Sequence, residues 1–258
     1  MDSFWLRNRE ALPITNWEGW VRPKEDYQWK PGRSAMELAR AWFAQGDLAC
    51  PAELDSLLRS NAHTAGSQLI MGEPEFVTRL PERGEGRNHD LWLQAHCSAG
   101  GLTICVEAKA DESFGNVISD EIKKARERNA RTRLPARVET LLRLLFGKPC
   151  NPLEKPWSEL RYQLITALAG TVIQATCDHS PTAAFVVHEF LGGKLDPARQ
   201  TQNDMDLRAV VALLMPGCKD FTTGTLVGPV QIMSGPHLTH SVDLLIGKIQ
   251  SRLASTVA

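Results

Sequence analysis

Two carboxylates and one ammonium stand where a short hairpin can bring them together: Asp90 near the start of HDLWLQAHC, and Glu107 and Lys109 inside LTICVEAKA. Residues two apart on a strand project from the same face, so Glu107 and Lys109 point together while Val106 and Ala108 point away. Residues 98–101, Ser-Ala-Gly-Gly, supply a turn. Counting outward from a turn at Ala99 and Gly100 pairs Asp90 with the region of Lys109, within cross-strand reach of both charges. Such a trio suits phosphodiester hydrolysis. Two carboxylate oxygens, waters and a phosphate complete an octahedral Mg²⁺ site. Lys109 can orient or help deprotonate the attacking water, and positive charge stabilises the charge that develops. The competing reading is an ion pair between Glu107 and Lys109 at a sheet edge, with Asp90 merely opening a strand. Spacing alone leaves both open.

The elements around the trio follow from periodicity. Ser34 followed by Glu37 reads as a capping box opening a helix over residues 34–43, and a second helix begins over residues 51–58. Residues 67–80 are strand-like and end in a turn-rich stretch over 81–88. The strands at 89–97 and 102–110 come next, the second apolar except for Glu107 and Lys109. Helices are expected over 118–131, 137–146, 159–176 and 204–215, with strands over 183–191, 224–233 and 242–250. In the long helix Leu160, Leu164, Leu168 and Val172 repeat at helical spacing, and Ala167, Ala169 and Gly170 permit close approach to a sheet. Residues 1–33 carry Trp5, Trp17, Trp20 and Trp29 among prolines and read as an irregular arm anchored by its indoles. The mixture is an α/β chain with a mixed sheet: an arm over 1–33, then one domain over 34–258 whose C-terminal extension starts at about 192.

HDLWLQA, a glycine turn and LTICVEAKADESFG together resemble the signature of the PD-(D/E)xK, or restriction-endonuclease-like, nuclease superfamily. Asp90 matches its first aspartate and Glu107-Ala108-Lys109 its (D/E)xK. RYQLITALAGTVIQA and AAFVVHEF match a later helix and strand, so the resemblance spans roughly residues 34–191. His89 stands where the motif name has proline. The resemblance implies an αβββαβ core, Mg²⁺ or Mn²⁺ as cofactor, and cleavage of DNA or RNA, with Asp90 and Glu107 as metal ligands. It also implies a helical glutamate completing the metal site, Glu37 or Glu53, with Glu37 favoured. Arg161 and Gln163, at the start of the long helix, are candidate phosphate contacts; the alternative for Arg161 is a salt bridge to Glu159 or Glu154. Asp111 and Glu112 either tune the metal or cap the next helix.

Composition bounds the partners. The chain has 258 residues, 43% hydrophobic, with a formal charge of −1, so it does not as a whole advertise nucleic-acid binding. Between Glu121 and Lys148, however, nine basic residues stand against three acidic ones. Lys123, Lys124 and Arg126 lead that stretch, which is either a solvated helix face or a phosphate-backbone contact. Its six cysteines are too scattered for a zinc or redox motif, and His237 with His240 lies in a Gly-Pro loop. No apolar run is long enough for a membrane span, which places the protein in the cytoplasm. The reading is a metal-dependent endonuclease, with a homodimer as one arrangement for cutting both strands. Its rivals are a nuclease-fold protein that binds without cutting and a hydrolase acting on nucleotides.

Overall fold

The computed structural model describes residues 4–192, 195–219 and 221–253; the first three residues of the expected arm and the last five of the expected extension lie outside them. Seven strands form one mixed sheet: β1 (Trp5–Leu6), β2 (Gln68–Thr78), β3 (Arg87–Cys97), β4 (Gly100–Lys109), β5 (Thr182–Leu191), β6 (Leu226–Ile232) and β7 (Val242–Arg252). Their order across the sheet is β1-β2-β3-β4-β5-β7-β6. Helices α1 (Ser34–Trp42) and α2 (Ala52–Arg59) cover one face. The other is covered by α3 (Ile118–Arg128), α4 (Leu134–Phe146), α5 (Tyr162–Cys177) and α6 (Pro197–Leu214). The expected α/β class is what the chain adopts, with α1, α2, β2, β3, β4, α3, α4, α5 and β5 in that order along the chain.

Each face has its own core because β4 and β5 are buried on both sides, lying between two helical layers. Leu102, Ile104, Val106 and Ala108 of β4 join Leu38, Trp42 and Leu57 beneath α1 and α2. Phe185 and Val187 of β5 join Leu164, Leu168 and Val172 of α5. The small residues of α5 let it lie almost against β3. A β-carbon added to Gly170 would come within 3.0 Å of His89 Nε2 and 3.1 Å of the Arg87 side chain.

The far end of α5 is tied to the sheet by one carboxylate. Asp178 Oδ2 accepts from Trp92 Nε1 at 2.8 Å and Thr103 Oγ1 at 2.7 Å, and its Oδ1 accepts from Gln174 Nε2 at 2.8 Å. Removing it strands donors on the buried Trp92, Thr103 and Gln174 side chains, each costing about 1–3 kcal/mol. Asp178→Ala is therefore expected to lose about 2 kcal/mol or more in denaturant unfolding; a loss below about 0.5 kcal/mol would show that water replaces the carboxylate.

Several boundaries differ from the sequence reading for physical reasons. The arm is not wholly irregular: Trp5 and Leu6 pair in parallel with Met71 and Gly72 of β2. Two residues give no periodicity to detect. The C-terminal part is no appendage either, because β7 lies between β5 and β6 and pairs with β5 from Thr182↔Asp243 to Leu191↔Arg252. α5 starts at Tyr162 rather than at 159, since Arg161 is extended and bridges to Val117. α6 begins earlier than 204, at Pro197, with Asp196 accepting from Ala198 N–H. The expected capping box at α1 is not made, since the Glu37 N–H donates to the Arg33 carbonyl. Glu37 reaches back to the Gly32 N–H at 2.9 Å, and the Ser34 hydroxyl turns to Glu112.

Candidate active site

The hairpin that carries the trio is tighter than the turn count suggests. Cys97 pairs with Gly100, so Ser98 and Ala99 alone make the turn, and Gly100 takes φ 110°, a conformation glycine adopts freely. That register ends at Leu91↔Val106 and extrapolates to Asp90 opposite Glu107, two residues from the expected pairing near Lys109. A shift of two preserves the face, so the convergence survives it. Beyond Leu91 the β3–β4 ladder stops while β3 continues along β2 to Thr78↔Arg87. Asp90 fills the gap: its Oδ2 accepts from the Ala108 N–H at 2.7 Å.

At this end of the sheet the strict alternation of β3 also breaks. Trp92 reaches the end of α5, yet His89, an odd number of residues away, also lies against α5. In β2, opposite Asp90, Glu75 sits at φ 54° between the pairs Pro74↔Leu91 and Phe76↔His89. A non-glycine residue there costs of order 1 kcal/mol and is held only where the surroundings impose it. The effect is a row of three carboxylates across three strands, Glu75, Asp90 and Glu107.

A cleft of about 360 Å³ opens over this row, lined among others by Glu75, Arg87, Asp90, Glu107, Lys109 and Gln163. Glu107 is 1% exposed and its oxygens are fully used. Oε1 accepts from Lys109 Nζ at 2.6 Å and Gln163 Nε2 at 2.6 Å, and Oε2 pairs with Arg87 Nη2. Burial pushes the Lys109 ammonium down to about 8, with Asp90's charge opposing the shift, and Nζ lies 5.1 Å from the Phe114 ring centre. Burial raises the Asp90 carboxyl, against the pull of Lys109 and Arg87. Glu75 is pushed up to about 7, by burial first and by the Asp90 charge second, while Asn88 donates to it. A crowded, partly desolvated acid row beside buried cations is the environment in which catalytic groups acquire shifted acidities.

Of the expected site residues, the structure brings together Asp90, Glu107, Lys109 and Gln163. Glu37 is not with them. It packs under α1 on the opposite face, held by Gly32 N–H and by Arg40 at 3.3 Å, and borders a separate hollow with Glu53. Neither glutamate completes a metal site with Asp90. Arg161 is committed elsewhere, to Asp206 at 2.8 Å and the Gly115 carbonyl at 2.7 Å; its partner is in α6, not Glu159 or Glu154. Lys123, Lys124 and Arg126 are exposed on α3, and Lys123 and Arg126 line a shallow hollow that shares no residue with the cleft. Asp111 and Glu112 do not cap the next helix. Asp111 pairs with Arg33 at 2.8 Å, and Glu112 accepts from Ser34 Oγ at 3.1 Å at the start of α1, on the cleft wall.

Sequence reasoning missed Glu75 and Arg87. The signal for the first was GEPEF, two acids around a proline in a strand; for the second, a basic residue at the mouth of the strand that carries Asp90.

The donor set suits a hard divalent cation, because Asp90 and Glu107 are neighbouring carboxylates and Mg²⁺ is commonly held by one or two of these plus water and phosphate. Among the described residues no three His, Cys, Asp or Glu side chains are grouped closely enough to hold a metal ion. The protein would therefore contribute two carboxylates, with Arg87 yielding Glu107 Oε2. Among the described residues no helix is long and apolar enough to cross a membrane.

The chain belongs to the family described as Domain of unknown function (DUF6946), whose model matches residues 12–253. Comparison with curated proteins and with solved structures gave no match.

Proposed function

We propose that this protein is a metal-dependent nuclease that hydrolyses phosphodiester bonds in DNA or RNA, with DNA as the favoured substrate. The observation that carries the reading is the meeting of Asp90, Glu107 and a largely desolvated Lys109 in one cleft at the end of the sheet. Asp90 and Glu107 are the residues that would hold Mg²⁺ or Mn²⁺, which when bound polarises a phosphoryl oxygen and acidifies its water. Gln163 fixes the rotamer of Glu107 through Oε1. Lys109 Nζ, adjacent to that oxygen, can hold a water for in-line attack and exchange a proton with it. Arg87, once released from Glu107, offers a planar fork to phosphate oxygens. A cytoplasmic setting and a homodimer that cuts both strands belong to the same proposal. The test is direct: purified protein with Mg²⁺ or Mn²⁺ should cut plasmid or single-stranded substrate, and chelation should stop it. Cleavage that persists in chelator would overturn it.

A second reading has one observation in its favour. Both oxygens of Glu107 are already occupied, by the cations Arg87 and Lys109 and the amide of Gln163, as they would be in a nuclease fold that binds nucleic acid or protein without cutting. Calorimetry separates the two. The nuclease reading expects Mg²⁺ or Mn²⁺ binding that falls at least tenfold in Asp90→Asn and in Glu107→Gln; no metal binding together with retained nucleic-acid binding would favour the second reading.

A further inference from the structure

Next to the cleft lies a second hollow of about 420 Å³, walled by Leu80, Glu85, Arg87, Arg137, Tyr162 and Thr166. The two share Arg87, Asn88 and Gln163, so one guanidinium stands between them. Arg137, from α4, is 6% exposed, and no carboxylate pairs with it among the described residues. Its Nη2 donates to the Glu85 carbonyl, and its Nη1 sits where a β-carbon on Gly84 would be. Its Nε is buried with no hydrogen-bond partner, and so is the Nε of Arg87, whose side chain is 10% exposed. The Tyr162 hydroxyl completes the wall: burial raises it, the Arg137 charge pulls it back, and it acts in turn on Arg87.

Two largely buried guanidinium groups thus border one small space, each has an Nε without a hydrogen-bond partner, and Arg137 has no paired carboxylate among the described residues. Glu107 answers Arg87, but among the described residues Arg137 has only the Glu85 carbonyl as a hydrogen-bond acceptor. Leaving such groups unpaired costs kilocalories per donor, and a neutral ligand would not recover the charge term. A tetrahedral oxyanion would: guanidinium forks match phosphate oxygens, and charge-assisted hydrogen bonds are about twice as strong as neutral ones. A carboxylate is less apt, since it brings a single charge and two oxygens where a phosphate brings more of both.

We propose that the hollow between Arg87 and Arg137 is a phosphate-binding site, and that during cleavage it holds a phosphate next to the one being cut. The first half stands on the hollow itself; the second rests on the nuclease reading. The site then sets how the strand enters the cleft, with Arg87 spanning the held phosphate and the acid row. Arg137 is a positioning residue, outside the reacting atoms.

The test titrates inorganic phosphate into the full chain without divalent metal or nucleic acid. Saturable binding is expected, weakened at least tenfold in Arg137→Gln and by less in Arg137→Lys, which keeps the charge but loses the fork. In the unaltered protein the Nε–H resonances of Arg87 and Arg137 should shift on saturation, a readout that needs no variant to fold. Absent binding, unmoved arginine resonances, or equal binding by a folded Arg137→Gln would overturn the site. With cleavable substrate, Arg137→Gln should raise KM about tenfold while changing kcat far less; an equal fall in kcat with unchanged KM would overturn the positioning role. Phosphate binding without any cleavage would leave the site standing and remove the nuclease reading. Cleavage without phosphate binding would do the reverse.

Discussion

Lys109→Met will abolish metal-dependent cleavage, by at least about 10²-fold in kcat, while leaving the protein as stable as before or more so. The two halves of this expectation have one cause. Lys109 is 4% exposed, its ammonium is pushed down to about 8 by burial, and it shares Glu107 with Arg87 and Gln163. A buried charge held at a desolvation cost for structure alone would be missed by the fold when removed; one held for chemistry would not. Methionine fills most of the space of the lysine stem, losing only the ammonium and its contact with the Phe114 ring, and Arg87 remains to balance Glu107. Groups that work at a site are commonly a burden on stability. The measurements are single-turnover cleavage and thermal unfolding on the same preparations. Lys109→Ala should lose activity equally but some stability, through the cavity it leaves. Unchanged cleavage in either variant would remove Lys109 from the mechanism. Lost cleavage together with a loss of several kcal/mol in Lys109→Met would make it a structural ion pair, the reading that spacing alone could not dismiss.

How far the site could be read in the sequence depended on the range of the physics involved. Glu107 and Lys109 were legible because period-two projection is local and two charges on an otherwise apolar strand demand a reason. Asp90 needed only a hairpin, and the error of two residues in its register came from a turn of Ser98 and Ala99 rather than Ala99 and Gly100. Glu75 lay beyond reach of that logic. Its place depends on β2 pairing with β3 across a loop and on a left-handed backbone at φ 54°, which no pattern of apolar residues announces. Glu37 illustrates the converse: a correct helix and a plausible acid, but on the wrong side of the sheet, because helical periodicity does not say which face a helix will cover. Charge density misled in the same way. Lys123, Lys124 and Arg126 were conspicuous and are solvated on α3, whereas Arg137 in the same stretch is buried beside the cleft. The family match adds extent, over residues 12–253, and the integration of β7 into the sheet gives that extent a structural reason.

Acid will destabilise the protein through His188, which pairs with Ala108 one strand over from Glu107, and the pH window is set by burial. His188 lies on β5 at 1% exposure, its ring stacked on Phe190 with centroids 4.3 Å apart and its Nε2 2.8 Å from Ser251 Oγ. Burial alone lowers its pKa from 6.5 to about 3, so the folded ring stays neutral while the unfolded ring takes a proton below 6.5. The unfolded state then binds more protons than the folded state, and stability rises with pH across that interval. Read downward, the contribution is whole above 6.5 and is lost progressively as pH falls toward 3, at up to about 1.4 kcal/mol per pH unit. Over the window this sums to several kcal/mol, a large part of an ordinary domain's stability. His188→Gln keeps a polar partner for Ser251 and cannot titrate. Its denaturant midpoint should start somewhat lower at neutral pH, and the gap from the unaltered protein should shrink steadily between pH 6.5 and pH 4. Parallel curves across that range would mean that the ring is protonated in the folded protein, and that the packing around Phe190 admits a charge it is built to exclude.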